Sequence, residues 1–124
     1  MAAYKTRWFD RWARKQGLLD KQLCEAVAEM EKGLFEANLG SGLFKKRIAR
    51  TGQGKSAGFR TLVATKNEGR WFFIFGFAKN VRSNIEKNEE DALKRLAIYL
   101  LEISDKALET AQNAGEIIGV NCHA

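Results

Sequence analysis

Lysine and arginine side chains are the groups in this chain whose type and spacing point most clearly to chemistry. The 124 residues include 21 of them, and ten lie between positions 43 and 82, where Glu68 is the single acid. A guanidinium binds a phosphodiester through paired hydrogen bonds, and a desolvated lysine loses its proton and acts as a base. The central block of charge therefore predicts a phosphate-bearing partner. A basic surface that only keeps a protein in solution is the alternative.

Three short segments rich in aromatic and branched side chains carry most of this charge, and we predict that they are β-strands. They cover residues 43–50, 59–65 and 70–78. A loop over residues 51–58 joins the first two, and a tight turn over residues 66–69 joins the last two. The third segment is apolar on both faces, so we expect it in the middle of the sheet.

Helical periodicity flanks these strands on both sides. Asp20 is the predicted N-cap of an amphipathic helix, and Gly17 separates it from a shorter preceding helix. From Asn88 the apolar positions recur at helical spacing, and Ser104 is the predicted cap of a further short helix. Residues 117–120 add a strand or pack loosely. We therefore predict a single α+β domain over residues 1–124, with N-terminal helices packed on a small antiparallel sheet and C-terminal helices.

Alternation along the first predicted strand divides its cations into two sets. Lys45 and Arg47 lie opposite the apolar positions, so we expect them on the open face of the sheet. Lys46 and Arg50 share the apolar side, and we expect their stems to carry the charged ends out to solvent from an edge or a strand end.

Other cations lie at the ends of the neighbouring strands. Arg60 opens the second predicted strand, and two more follow the third, so that three strands would present cations on one concave surface. The candidate site cations on this surface are Arg60, Lys79, Arg47 and Lys45. The residues we predict to bind the partner are Lys46, Arg50, Lys55 and Arg82. A basic groove that binds without catalysis fits the same pattern.

Other site chemistries have weaker support. Gly54-Lys55-Ser56 ends like a nucleotide-binding P-loop, but Ala49 stands where that motif needs its first glycine, and no helical pattern follows. The only histidine, His123, has Cys122 beside it, and two ligands fall short of a zinc site. Paired carboxylates are missing from the basic block, and nucleophilic catalysis lacks a well-placed base. We predict no metal and no cofactor.

The same sequence predicts a cytoplasmic location and no membrane partner. No apolar run is long enough to span a bilayer, and the start of the chain lacks the apolar region of a secretory signal. Cys24 and Cys122 are too few for a disulfide framework, and we expect Cys24 to be a buried, inert thiol within its helix.

Four short motifs resemble those of the RelE/HigB toxin superfamily. Gly58-Phe59-Arg60 resembles its G-[YF]-R strand motif, and Phe75-Gly76-Phe77-Ala78-Lys79-Asn80 resembles its H-G-F-x-K-K segment. Lys79-x-x-Arg82-Ser83 resembles the corresponding RelE stretch, and Gly42-Leu43-Phe44-Lys45-Lys46-Arg47 resembles the G-L-x-E-L-R strand of HigB-type chains. The order of elements matches over roughly residues 4–103, most closely in a phage-associated HigB-like branch.

This resemblance implies a ribosome-dependent endoribonuclease that cuts mRNA and that a cognate antitoxin neutralises, a protein with a helix-turn-helix encoded by an adjacent gene. The ribose 2′-hydroxyl would attack the neighbouring phosphate and leave a 2′,3′-cyclic phosphate. Arg60 would stabilise the phosphorane, Lys45 and Arg47 would act as base or electrostatic groups, and Lys79 would lie near the scissile phosphate.

The chain departs from the family pattern at three points. Asn80 stands where RelE-type chains have an arginine, no aromatic general acid occurs near Glu86, and the histidines of some HigB proteins are absent. We expect Tyr99 to pack in the core. Two other functions remain open at this stage: a non-catalytic nucleic-acid-binding phage regulator, and a structural phage protein that binds a protein partner through its aromatic hairpin.

Overall fold

The structure is a computed structural model that describes residues 2–50, 58–66 and 69–122. Its elements in chain order are β1 (Ala2–Thr6), α1 (Arg7–Gln16), α2 (Asp20–Glu31), β2 (Ala37–Gly40), β3 (Leu43–Ile48), β4 (Phe59–Thr65), β5 (Arg70–Ala78), α3 (Lys87–Glu102), α4 (Asp105–Asn113) and β6 (Ile117–Gly119). The predicted α+β class is confirmed.

The six strands form one sheet in the order β2-β3-β4-β5-β1-β6. Neighbouring strands are antiparallel except β1 and β5, which run parallel. The predicted antiparallel sheet is therefore a mixed one. The parallel strand is β1, a five-residue segment that we did not predict, because its partner lies more than sixty residues further along the chain. As predicted, β5 lies inside the sheet.

Two of the three predicted strands have their predicted bounds, and the start of α2 differs from its prediction. β4 and β5 begin and end where predicted, whereas β3 ends at Ile48 rather than at residue 50. α2 begins one residue after Leu19, whose backbone N–H donates to the Gln22 side chain, so Asp20 is not its N-cap. Ser104 caps α4 as predicted, by accepting a hydrogen bond from the Ala107 N–H.

Two apolar cores lie on opposite faces of the sheet. On the α1/α2 face, the helices pack through Phe9, Leu23 and Val27 against β4 and β5. On the α3/α4 face, Leu100 and Leu108 pack against the other side of the same strands. β4 is buried along its whole length because it is covered on both faces. The two cores fix which face each β-strand residue occupies.

A small polar cluster ties β1 to the helices. The Lys5 ammonium lies 3.0 Å from Asp10 Oδ1 and 2.8 Å from Asp20 Oδ1. Burial raises the pKa of Asp10, but hydrogen bonds and charge from Lys5 and Arg14 outweigh burial, so the pKa lies below its usual value. Asp20 also accepts a hydrogen bond from the Asn121 backbone N–H. One lysine thus links β1, α1 and α2.

The structure overturns the predicted thiol. Cys24 and Cys122 form a disulfide, with Cα atoms 5.6 Å apart. Val120 N–H donates to Ala3 O, and Asn121 N–H donates to Asp20, so residue 122 is held beside α2. Disulfide geometry requires this proximity, and the spacing in sequence gives no sign of it.

We expect the disulfide to contribute to the free energy of unfolding, because it closes a loop with a sequence separation of 98. Its loss should lower stability by about 2–5 kcal/mol. Thermal melting with and without a thiol reductant tests this for the wild type and for Cys122→Ser. Reductant should lower the melting temperature of the wild type to that of the variant and leave the variant unchanged. Equal melting of the wild type in both conditions would contradict the expectation.

Candidate functional site

Strand pairing brings two arginines together on the α3/α4 face. Arg47 of β3 pairs directly with Arg60 of β4, and Arg60 pairs with Phe77 of β5. A bulge in β5 gives the pairs Leu62–Phe75 and Val63–Phe73, which leaves one extra residue between them. Phe77 therefore shares a face with Arg60. Three adjacent strands contribute to this site, with cations on two of them and an aromatic ring on the third.

Glu36 bridges the two arginines. Its Oε2 accepts from Arg47 Nε at 3.0 Å and lies 2.9 Å from Arg47 Nη2. Its Oε1 lies 2.9 Å from Arg60 Nε. Like charges opposite each other destabilise a β-ladder, and the carboxylate between them offsets that repulsion. We call Glu36, Arg47 and Arg60 the arginine–glutamate cluster.

The members of the cluster differ in burial. The Arg60 side chain is 6% exposed, Glu36 is 22% exposed and Arg47 is 45% exposed. Arg60 Nη1 is buried and has no hydrogen-bond partner in the part of the chain that the structure describes. A buried guanidinium with an unused donor is costly unless an anion satisfies it. Glu36 is therefore the carboxylate that neutralises the buried Arg60 charge within the described residues.

The segment between β5 and α3 borders this site. The Arg82 guanidinium carbon lies 5.6 Å from the centre of the Phe77 ring, within cation–π range. Arg82 Nη1 also donates to Glu89 Oε2 at 3.1 Å, and its Nη2 pairs with Glu89 Oε1. Lys45 Nζ donates to Asn84 Oδ1 at 2.9 Å, which connects the segment to β3. Lys45 and Arg82 therefore lie near the cluster with defined partners.

Two of the predicted partner-binding cations lie elsewhere. Lys46 is 3% exposed, pairs with Glu29 of α2 at 2.7 Å, and donates to Leu34 O. The expectation that it reaches solvent is wrong, because β2 covers β3 and removes the edge. Arg50 lies with its guanidinium carbon 4.9 Å from the centre of the Phe59 ring, and Phe59 belongs to the α1/α2 core. Both residues are on the face opposite the cluster.

Three further residues with predicted positions are Lys79, Lys55 and Tyr99. Lys79 is exposed just after β5, and its backbone N–H donates to Gly58 O at 3.1 Å, two residues before Arg60. Its ammonium has no ion-pair partner within the described ranges. Lys55 lies outside the described residues. Tyr99 is exposed on α3, so the expectation of core packing is wrong.

Glu36 is the site residue that sequence reasoning missed. It reaches the cluster because β2 pairs with β3, and its own N–H donates to Lys45 O at 2.8 Å. A hairpin between residues 37 and 48 turns through Gly40, Ser41 and Gly42, all with positive φ. We did not predict a turn at these residues. A tight turn at residues 40–42 pairs the preceding segment with β3, and this pairing places Glu36 beside the cations of β3.

No three histidine, cysteine, aspartate or glutamate side chains group together as metal ligands within residues 2–50, 58–66 and 69–122. None of the helices described there is long and apolar enough to cross a membrane.

Comparison with known proteins adds the identity of the fold. The family model for the RelE toxin of the RelE/RelB toxin–antitoxin system matches residues 1–120. The chain belongs to this family. No curated protein matches it. RelE-family toxins are generally mRNA-cleaving endoribonucleases, and the family pairs each toxin with a cognate antitoxin. The matched residues of this RelE-family toxin include the whole arginine–glutamate cluster.

We expect Arg82 to control the titration of Glu89 in this toxin. Hydrogen bonds from the Arg82 side chain and the Glu86 N–H lower the pKa of Glu89 below its usual value, and burial opposes them. Because the folded-state pKa is lowered, the stabilisation is present above the unfolded-state pKa and is lost as pH falls through the folded-state value. NMR titration of the Glu89 carboxyl carbon measures this directly. Arg82→Ala should raise the pKa towards its usual value, and an unchanged titration would contradict the assigned cause.

Proposed function

We propose that this toxin is a ribosome-dependent mRNA endoribonuclease that acts in the cytoplasm, where translation takes place, without a metal ion. The observation that carries the proposal is the arginine–glutamate cluster. Two guanidiniums from adjacent strands already bind one carboxylate on the α3/α4 face, in a chain that belongs to a family of mRNA-cleaving toxins. A phosphodiester is also a monoanion with two terminal oxygens, so it suits the same pair of donors.

In the proposed reaction the 2′-oxygen attacks the neighbouring phosphorus, and the bond from phosphorus to the 5′-oxygen breaks. The 2′-proton passes to a base, and the leaving 5′-oxygen receives a proton from an acid. Negative charge accumulates on the phosphorane in between. Arg60 is suited to stabilise that charge, because its side chain is 6% exposed within β4, and a charge in such a low-dielectric site interacts strongly with an anion.

The other predicted catalytic residues take supporting roles in this proposal. Arg47 is more exposed and positions the phosphodiester. Lys45, held by Asn84, is the candidate for the proton acceptor or for a second electrostatic contact. Lys79 is the candidate for the acid near the 5′-oxygen, because it is exposed and its backbone is bonded to the start of β4, close to Arg60.

Among the predicted contacts with RNA and the ribosome, Arg82 and Arg50 lie on opposite faces of the sheet. Arg82 borders the cluster and would contact the message beside the cleavage site. Arg50 and Lys55 would contact ribosomal RNA, in keeping with the formal net charge of +6. Lys46 takes no part in the proposal, because it is buried against α2. The phage-associated HigB-like branch stays a prediction.

A non-catalytic nucleic-acid binder is the competing function, because a basic face suits both. We expect purified toxin to cleave mRNA on programmed ribosomes and to leave a 2′,3′-cyclic phosphate. Replacing the 2′-hydroxyl before the scissile phosphate with hydrogen should abolish cleavage.

Cleavage should persist when exchange-inert cobalt hexammine replaces Mg²⁺, with ribosome integrity checked by sedimentation, because that ion offers no coordination site. Binding without cleavage would favour the competing function, and cleavage lost only in cobalt hexammine would contradict the metal-free mechanism.

Substitutions at Arg60 and Lys79 test the assignment of roles. Arg60→Ala should reduce the single-turnover rate by roughly 10²–10³-fold, the effect of losing one strong electrostatic donor. Lys79→Ala should reduce it by about 10²–10⁴-fold if the ammonium is the acid. Because Arg60 is buried and paired, Arg60→Ala also lowers stability, and Arg60→Lys keeps the charge while removing the planar fork.

The control for these variants is Lys66→Ala, an exposed lysine after β4, which should cleave like the wild type. Each variant is compared in mRNA cleavage, ribosome binding and thermal melting. Near wild-type cleavage by folded Arg60→Lys and Lys79→Ala would rule out the assignment. Normal cleavage only at saturating ribosomes would identify both as docking residues and move the catalytic pair to Lys45 and Arg47.

A further inference from the structure

We propose that Glu36 is an internal occupant of the phosphate site, and that an RNA phosphodiester binds by displacing it. The inference rests on the proposed function, because it names what fills that site before RNA arrives. Each oxygen of the carboxylate is engaged by a different arginine: Oε2 by Arg47 at 2.9 Å and Oε1 by Arg60 at 2.9 Å. The free toxin therefore holds its own anion where the phosphodiester is expected.

Two anions cannot share this position. A phosphate between the guanidiniums would lie in contact with the carboxylate, and like charges at such distances repel strongly in a partly buried site. The Nε atoms of Arg47 and Arg60 are both taken by Glu36. Binding of the phosphodiester is therefore an exchange, in which the carboxylate leaves and phosphate oxygens take its hydrogen bonds.

The position of Glu36 allows that exchange. It lies in the connection before β2, outside any helix or strand, and its side chain is partly exposed. Arg60, by contrast, is buried within β4 and does not need to move. The exchange therefore requires only the Glu36 side chain to move.

The alternative is that Glu36 only positions the arginines, and the two roles predict opposite effects on binding. Glu36→Gln keeps the shape of the side chain but removes its charge, so the amide competes less well for two guanidiniums. If Glu36 is displaced by phosphate, this variant should bind phosphodiesters about tenfold or more tightly. If Glu36 only positions the arginines, the same variant should bind more weakly.

Single-stranded DNA is the probe, because it lacks the 2′-hydroxyl and cannot be cleaved by the proposed route. Fluorescence anisotropy gives Kd for the wild type, Glu36→Gln and Glu109→Gln over a range of salt concentrations. Glu109 is an exposed residue of α4, so its substitution makes the same change in net charge and serves as the matched control. Thermal melting in inorganic phosphate adds a second readout, since a ligand that binds only the folded state raises the melting temperature.

Tighter binding by Glu36→Gln than by Glu109→Gln, with a larger rise in melting temperature in phosphate, supports the exchange. Equal or weaker binding, or no binding by Glu36→Gln, overturns it. If Glu36→Gln does not fold, Glu36→Asp replaces it, since a shorter carboxylate bridges the arginines less well, and binding no tighter than that of the wild type again overturns the proposal.

The outcome is separable from the fate of the proposed function. If the wild type cleaves mRNA on ribosomes but Glu36→Gln shows no gain in affinity, the proposed exchange is wrong and the proposed nuclease function stands. If Glu36→Gln gains affinity but the wild type does not cleave mRNA, the exchange stands and the proposed nuclease function is wrong.

Discussion

The pairing of Arg47 with Arg60 is the constraint on which the rest of the site depends. Two cations directly opposite each other on adjacent strands repel, and one of them is almost fully buried. Such a pair is stable only with an anion between its members, and Glu36 is that anion. The β2–β3 hairpin therefore does more than extend the sheet. It places the Glu36 carboxylate between the Arg47 and Arg60 guanidiniums, where their repulsion would otherwise be largest. The same requirement makes the position an anion site.

Sheet topology decides where such a site can form. β1 pairs in parallel with β5 and places the chain start inside the sheet, so α1 and α2 pack on one face and α3 and α4 on the other. The segment after β5 crosses to Asn84 near β3 before α3 begins at Lys87. Next to the arginine–glutamate cluster, the α3/α4 face of the sheet is therefore bordered by polar groups of this segment rather than by a helix. Arg60 is covered enough to be fixed, while Arg47 remains reachable from solvent.

The sequence predicted those parts of this arrangement that depend on local patterns. β4 and β5 are apolar runs that we predicted between a loop and a turn, and their predicted ends are the observed ones. Failures occurred where a partner comes from far along the chain. β1 is a strand only because β5 lies beside it, and Cys24 is oxidised only because residue 122 returns to α2. Glu36 was missed for a related reason, since its role depends on the β2–β3 hairpin, which we did not predict.

Lys46 and Arg47 are neighbours on β3 whose side chains lie on opposite faces of the sheet. These neighbours have similar side chains, and composition treats them alike. The alternation of β3 sends Lys46 beneath α2 to Glu29 and Arg47 to the opposite face beside Arg60. A shift of register by one residue would exchange them, burying the arginine against α2 and leaving a lysine opposite Arg60. Lysine lacks the planar fork with which Arg47 holds Glu36. The apolar residues that set the register of β3 therefore also determine which cation reaches Glu36 and Arg60.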